Sequence, residues 1–338
     1  MTAEERGEAV LAVLRRAGAF GDDARVTGMS QLEGGWSRHS YVVTVADERA
    51  EHQLIVRARP PATPLDTDVE QEYRVYELLA ESPVPIPRAY GIELGDTPFG
   101  GPFFVMDRLP GEAPNIWRRG DRAAIEQDWD EGRRQIAEDF VRNLVAIHSV
   151  DPEVAAAAVA PVSFEDMVAR WRGVQEEMQL VRDPVADATY DWVASRRPDP
   201  VPPHLVHGDY RIGNCLIHEG RISGVLDWEL AHVGDPRFDL AYTALGWYSG
   251  AFVLPASHLL GGVAESDWFH ARYTELTGLE SDPEVERTYA VLGGLMLYGM
   301  LVTGVRLYAE GQTSDIRMAW SRFVLPRLRQ DFVRLMDW

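Results

Sequence analysis

The sequence predicts an α+β chain of two lobes: an antiparallel five-stranded sheet with one main helix over residues 1–108, then a mostly helical lobe over 109–338. Three observations carry this. Runs of β-branched and aromatic residues bracketed by glycine and proline crowd the first third of the chain. Beyond Leu109-Pro110-Gly111 the apolar residues recur mainly at helical spacing. The 338 residues, 46% apolar and 25% charged, are globular in proportion and long enough for two domains of roughly 150 residues.

The elements follow in order. MTAEERGEAVLAVLRRAGAF carries acids early and apolar residues periodically, so it reads as an amphipathic helix and not a signal peptide. ARVTGMSQL and SYVVTVA read as two strands of a hairpin, joined through Glu33-Gly34-Gly35-Trp36-Ser37-Arg38. HQLIVRARP is a third strand, ended by Pro60, Pro61 and Pro64. DVEQEYRVYELLAE has helical spacing, with Val69, Tyr73, Tyr76 and Leu79 or Ala80 on one face, and SPVPIP stops it. Short strands near Arg88–Ile92 and Pro102–Arg108 complete the sheet. Helices are expected over Gly132–Ser149, Phe164–Val181, Pro184–Arg196 and from about Ser266 onward. Among them CLIHEGRISGVLDW reads as two strands about Glu219-Gly220-Arg221. The uncharged run Ala290–Val305 is shorter than the ~20 residues of a membrane span and reads as a buried core helix.

Charge narrows the chemistry. The 33 basic residues are all arginine, against 53 acids, for a net charge of −20. A chain without lysine cannot build the GxxxxGKS/T phosphate loop or a lysine Schiff base. Any cation on a phosphate must be arginine or a metal, helped by a helix N-terminus. The acidic balance argues against a nucleic-acid partner. Cys215, the lone cysteine, excludes an internal disulfide and fits a reducing cytoplasm.

The densest polar cluster is His207-Gly208-Asp209-Tyr210-Arg211-Ile212-Gly213-Asn214, followed by Asp227-Trp228-Glu229 and Gly234-Asp235-Pro236. Closing the hairpin between them brings Asn214 and Asp227 together, with Asp209 nearby. Two acids and an amide offer hard oxygen ligands suited to Mg²⁺. The spacing reproduces H-x-D-x-x-x-x-N followed by a metal-binding aspartate after a short hairpin, the kit of phosphoryl transfer.

HGDYRIGNCLI and GVLDWELAHVGDPRFDLAY resemble the aminoglycoside phosphotransferase (APH) family, which shares the protein-kinase fold. The likeness is closest to the branch with kinase-like regions fused to acyl-CoA dehydrogenases, and it runs from about Gln31 to about Trp247. It implies a two-lobed protein-kinase-like fold with Asp209 as catalytic base and Asn214 and Asp227 as Mg²⁺ ligands. His207 would buttress the loop or, alternatively, act as a base. Asp235 and Asp239 would be structural, capping or pairing with Arg211. Gly34, Gly35 and Ser37 match the loop over the phosphates. Arg57 stands where the family usually has lysine, and Glu72 matches its helix partner; Arg59 and Glu70 are the adjacent alternatives. Met106, Asp107 and Leu109 would form the hinge against the base of the nucleotide.

The implied activity is ATP- or GTP-dependent O-phosphorylation of a small hydroxylated molecule, an antibiotic or related metabolite. Arg57 motivates the alternative of a nucleotide-binding scaffold without transfer. No nucleic-acid or membrane partner is expected, and the chain would be a monomer or homodimer. Asp128, Asp130, Glu131, Glu176, Glu177 and Asp183 could receive a cationic acceptor, and Trp117, Trp171, Trp247, Tyr248 and Trp268 could stack one.

Overall fold

In a computed structural model, residues 2–32, 35, 37–115, 121, 130–249, 259–280 and 282–337 are described. The chain divides into two units. The first holds Met1–Glu81 and Ile86–Leu109, the second Ser82–Pro85 and Pro110–Trp338. Pro85 belongs with the second because its carbonyl accepts the Val225 N–H at 2.7 Å.

Strands β1 (Arg25–Gln31), β2 (His39–Ala46), β3 (Glu51–Ala58), β4 (Ala89–Glu93) and β5 (Phe103–Asp107) form an antiparallel sheet in the order β1-β2-β3-β5-β4. Alternate residues point to opposite faces. Tyr41, Val43 and Val45 of β2, Leu54 and Val56 of β3, and Phe103 and Val105 of β5 share a core with Val10, Leu11, Val13 and Leu14 of helix α1 (Ala3–Arg16). That helix starts at a Thr2–Glu5 capping box. The alternate set of sheet residues includes Phe104, whose ring meets Tyr73 and Tyr76 of helix α2 (Val69–Leu79) at 6.0 and 5.7 Å. The amphipathic α1 is thus a second helical layer on a sheet whose sequence suggested one main helix. Val69, Tyr76 and Leu79 of α2 are buried as expected, but the buried face is wider on one side and excludes Tyr73. Val75 and Glu72 are buried, Tyr73 is half-exposed and Ala80 exposed, because Glu72 is ion-paired inside.

The second unit is mostly helical. Helices Glu131–His148, Phe164–Met178, Pro184–Ala194, Ser266–Thr277 and Pro283–Ala309 fall where helical spacing places them. The last has 27 residues, longer than its uncharged run. It is long and apolar enough to cross a membrane, yet 78% of its most apolar stretch is buried within the protein. Two small sheets interrupt the helices: the hairpin β7 (Cys215–His218) and β8 (Arg221–Val225), and β6 (His204–Val206) paired with β9 (His232–Gly234). The hairpin turns through Glu219 and Gly220, both at positive φ. Asp139 clamps it to the helix Glu131–His148, accepting from Arg221 at 2.7 and 2.9 Å and from the Ile222 N–H at 3.1 Å.

Candidate active site

β6 delivers His207-Gly208-Asp209 at its C-terminal end, and a fully buried carboxylate fixes how they leave. Asp239 accepts the N–H of His207 at 2.8 Å and of Gly208 at 2.9 Å, and His148 Nε2 at 3.0 Å. Gly208 has φ +83, and a Cβ there would overlap the Leu230 carbonyl, so the loop needs glycine at this turn. The His207 ring is also fully buried. Its Nδ1 accepts the Asp209 N–H at 3.2 Å, so Nε2 carries the proton and donates to the Leu226 carbonyl at 3.1 Å. Burial pushes its pKa down, in keeping with this neutral form. Both nitrogens are spent on backbone, which leaves a buttress and no general base.

Asp209 projects from this support. Asn214 Nδ2 donates to its Oδ2 at 2.7 Å and to its carbonyl at 2.9 Å. Arg211 Nε lies 3.1 and 3.2 Å from the two carboxylate oxygens, and the Tyr248 hydroxyl 3.4 Å from Oδ1. With Nδ2 committed, Asn214 Oδ1 accepts no hydrogen bond among the described residues. The hairpin register pairs Cys215 with Val225, and the Leu226 N–H donates to the Asn214 carbonyl at 2.8 Å. Asp227, the next residue, follows immediately in a left-handed backbone, φ 72 and ψ 56, that aspartate tolerates better than most residues. Asn214 and Asp227 therefore flank one hairpin end, as expected. No group of three or more His, Cys, Asp or Glu side chains gathers for a metal among the described residues. An amide oxygen and one carboxylate instead match Mg²⁺, which keeps most of its shell for water and phosphate.

In the first unit, strand alternation puts Arg57 on the α2 side of β3, opposite Phe104 of β5. Its Nη2 lies 2.8 Å from Glu72 Oε1. Arg59 instead pairs with Asp66 at 2.6 Å and Glu70 with Arg74, which settles the choice between neighbours. Sequence reasoning missed the second cation on Glu72. Arg38, 2% exposed, donates Nε to Oε2 at 3.0 Å and Nη2 to Thr67 Oγ1 at 2.8 Å. One buried carboxylate thus carries two guanidinium groups. A lone arginine in a serine-bearing turn gives no pattern to reveal this.

Gly35 has φ +62, and a Cβ there would stand 2.7 Å from the Arg38 carbonyl. Ser37 is buried, its carbonyl accepting from Arg38 and Thr63 at 3.3 and 3.4 Å. Gly34 lies outside the described residues. Met106 is a buried strand residue, and the Asp107 N–H is spent on the Arg88 carbonyl at 2.9 Å. The Leu109 N–H makes no hydrogen bond among the described residues.

The sequence pattern of the phosphotransferase enzyme family (APH) matches residues 28–272, well over half of the chain. The chain belongs to that family. Acyl-CoA dehydrogenase family member 10 of Mus musculus is 29% identical over 249 residues, which cover 70% of this chain and 22% of that protein. The chain therefore spans about a fifth of that relative's length. A proposed aminoglycoside phosphotransferase from Ralstonia eutropha JMP134 shares the fold with a TM-score of 0.73 at 21% identity, over 98% of both chains. A thermostable mutant of aminoglycoside phosphotransferase APH(4)-Ia, solved with ADP and hygromycin B, gives 0.58 at 17% identity, over 97% of this chain and 98% of its own. The α+β, protein-kinase-like fold of the APH enzymes is thereby established for this chain.

Within this APH fold, several side chains differ from their expected places. Asp235 pairs with Arg237 at 2.6 Å and accepts from Tyr289 at 2.8 Å, not from Arg211, which is held by Asp209. Asp183 is buried on Arg329 and Tyr298, and caps the helix Pro184–Ala194. Asp130 caps the helix Glu131–His148, and Glu176 pairs with Arg172. These acids serve the fold, whereas Glu131 and Glu177 stay exposed. Trp171 is core at 3% exposure, while Trp247 and Trp268 are half-buried. Asp128 and Trp117 lie outside the described residues. Tyr248 is the aromatic that reaches the loop, through Asp209.

Proposed function

We propose that this APH-family chain transfers the γ-phosphoryl group of a nucleoside triphosphate to a hydroxyl of a small molecule. The arrangement of Asp209 and Asn214 carries the reading. A carboxylate is held by an amide whose own oxygen is turned free, beside a hairpin that brings in Asp227. Asp209 orients the acceptor hydroxyl and takes its proton as the new O–P bond forms. The bond from phosphorus to the bridging oxygen breaks, and its electron pair leaves on the nucleoside diphosphate. Asn214 Oδ1 and the Asp227 carboxylate would hold Mg²⁺, which when bound supplies charge neutralisation for the phosphates. Arg57 contributes a cation, and the Leu109 N–H a donor for the base. The ADP bound by the APH(4)-Ia neighbour favours an adenine nucleotide as donor.

The test is a panel of hydroxylated acceptors, antibiotics and related metabolites, scored for Mg²⁺-dependent nucleotide consumption. Consumption is expected for at least one acceptor and should vanish in Asp227→Ala. A chain that binds nucleotide yet transfers to nothing, with no change on Asp227→Ala, would support the scaffold reading that Arg57 motivates.

Arg57→Lys probes the same site. Lysine keeps the charge but loses the planar fork that reaches Glu72. Nucleotide titration should show Kd rising by about tenfold, the worth of one charge-assisted hydrogen bond. Unchanged or tighter binding would mean that the lysine-free composition, and not the site, imposed the arginine.

A further inference from the structure

Asp209 shares its carboxylate with a cation to which the proposed transfer has so far given no task. Arg211 touches both Asp209 oxygens, at 3.1 and 3.2 Å, through Nε alone. Arginine–carboxylate pairs are commonly two-pronged. Here the fork is turned away, and the N–H groups of Nη1 and Nη2 make no hydrogen bond among the described residues. The side chain is 29% exposed, so these donors are reachable.

Its position is built. The guanidinium lies over the Tyr248 ring, 5.3 Å from its centroid. Tyr248 is 6% exposed and anchored by a 2.7 Å hydrogen bond to Tyr242, itself buried. On the other side, a Cβ on Gly213 would overlap Arg211 Nη1. A side chain at position 213 would push the Nη1 end of the guanidinium from this place.

We infer that Arg211 is a further catalytic residue, its Nη groups donating to oxygens of the transferring phosphoryl group while Nε holds the base. This rests on the phosphotransferase reading. The hydroxyl that gives its proton to Asp209 stands about 3 Å from that carboxylate. The phosphorus under attack is one bond further on, and its equatorial oxygens carry the charge in the transition state. A guanidinium seated on the same carboxylate with its fork unspent is placed to meet them, and its planar geometry suits phosphate. An arginine that served only to orient Asp209 would have no need of an open fork.

Calorimetric titration with Mg–ATP and Mg–ADP, alongside Mg–ATP turnover with water as acceptor, tests this on Arg211→Gln, Arg211→Lys and Gly213→Ala. Arg211→Gln and Gly213→Ala should bind Mg–ADP as the parent does, but Mg–ATP about tenfold more weakly. Turnover should fall by about a hundredfold or more. Arg211→Lys should recover part of the ATP affinity and little of the turnover. Equal changes for ATP and ADP, or none, would overturn the role of Arg211 while leaving the phosphotransferase reading in place. A parent chain that binds neither nucleotide overturns both. Should thermal melting show that Arg211→Gln does not fold, Gly213→Ala, which keeps the arginine, decides by the same ATP-to-ADP ratio.

Discussion

Asp209→Asn should cut phosphoryl-transfer turnover by about 10²- to 10⁴-fold, the span a positioned general base contributes, while Mg–nucleotide binding survives. The substitution is gentle on the fold. An asparagine oxygen at the Oδ2 position can still accept from Asn214 Nδ2 and Arg211 Nε, and its new NH₂ can donate to the Tyr248 hydroxyl, at the loss of Arg211's contact to Oδ1. What disappears is the basic lone pair for the acceptor proton. Steady-state kinetics with any active acceptor, paired with nucleotide titration, measures the two quantities separately. Turnover within tenfold of the parent would remove Asp209 from the role of base.

The largest loss of stability is expected from Asp239→Ala. The substitution strips a fully buried carboxylate from two backbone N–H groups and from His148 at once. Leaving such donors buried and unpaired costs about 3–5 kcal/mol, a large part of the 5–15 kcal/mol that holds a typical domain together. Chemical denaturation should show the midpoint falling accordingly. Burial works against the Asp239 charge, but the hydrogen bond from His148 and the backbone donors outweigh it, so its pKa lies below the usual range. A carboxyl depressed on folding stabilises fully above its unfolded value, near 3.9, and loses that contribution as pH falls through the folded value. The gap between parent and variant should therefore persist at about pH 5 and close only in stronger acid. A loss below about 1 kcal/mol would mean that water replaces the carboxylate.

Asp239 also shows where the sequence stops being legible. His207, Asp209, Asn214 and Asp227 could be read because they lie in one stretch whose spacing is itself the geometry: a turn, a hairpin, a turn. The pairing of Arg57 with Glu72 is legible only through the family resemblance, which leaves Arg59 and Glu70 open beside it. The Asp239 contact has no such signature, since a side chain reaching two backbone N–H groups some thirty residues upstream leaves no pattern. The three-residue strands β6 and β9 are too short to alternate. Arg38, and Tyr248 at Asp209, meet their partners only through tertiary packing. On α2, apolar spacing pointed at Tyr73 because a pattern scored on hydrophobicity cannot anticipate a buried glutamate neutralised by two arginines.

The hairpin that carries Asn214 and Asp227 has one more property. Its first residue, Cys215, holds the only thiol in the chain, fully buried with Sγ directed at the Arg211 carbonyl 3.7 Å away. Burial raises its pKa far above the usual thiol range, so in the closed protein it is neither a thiolate nor within reach of a reagent. A disulfide-forming dye can react only when the strand pair swings open, and its rate of colour development counts those openings. The protein thus contains a native stopwatch at the root of its proposed catalytic loop. Nucleotide, metal or acceptor that closes the loop should slow the dye, and no probe has to be engineered in.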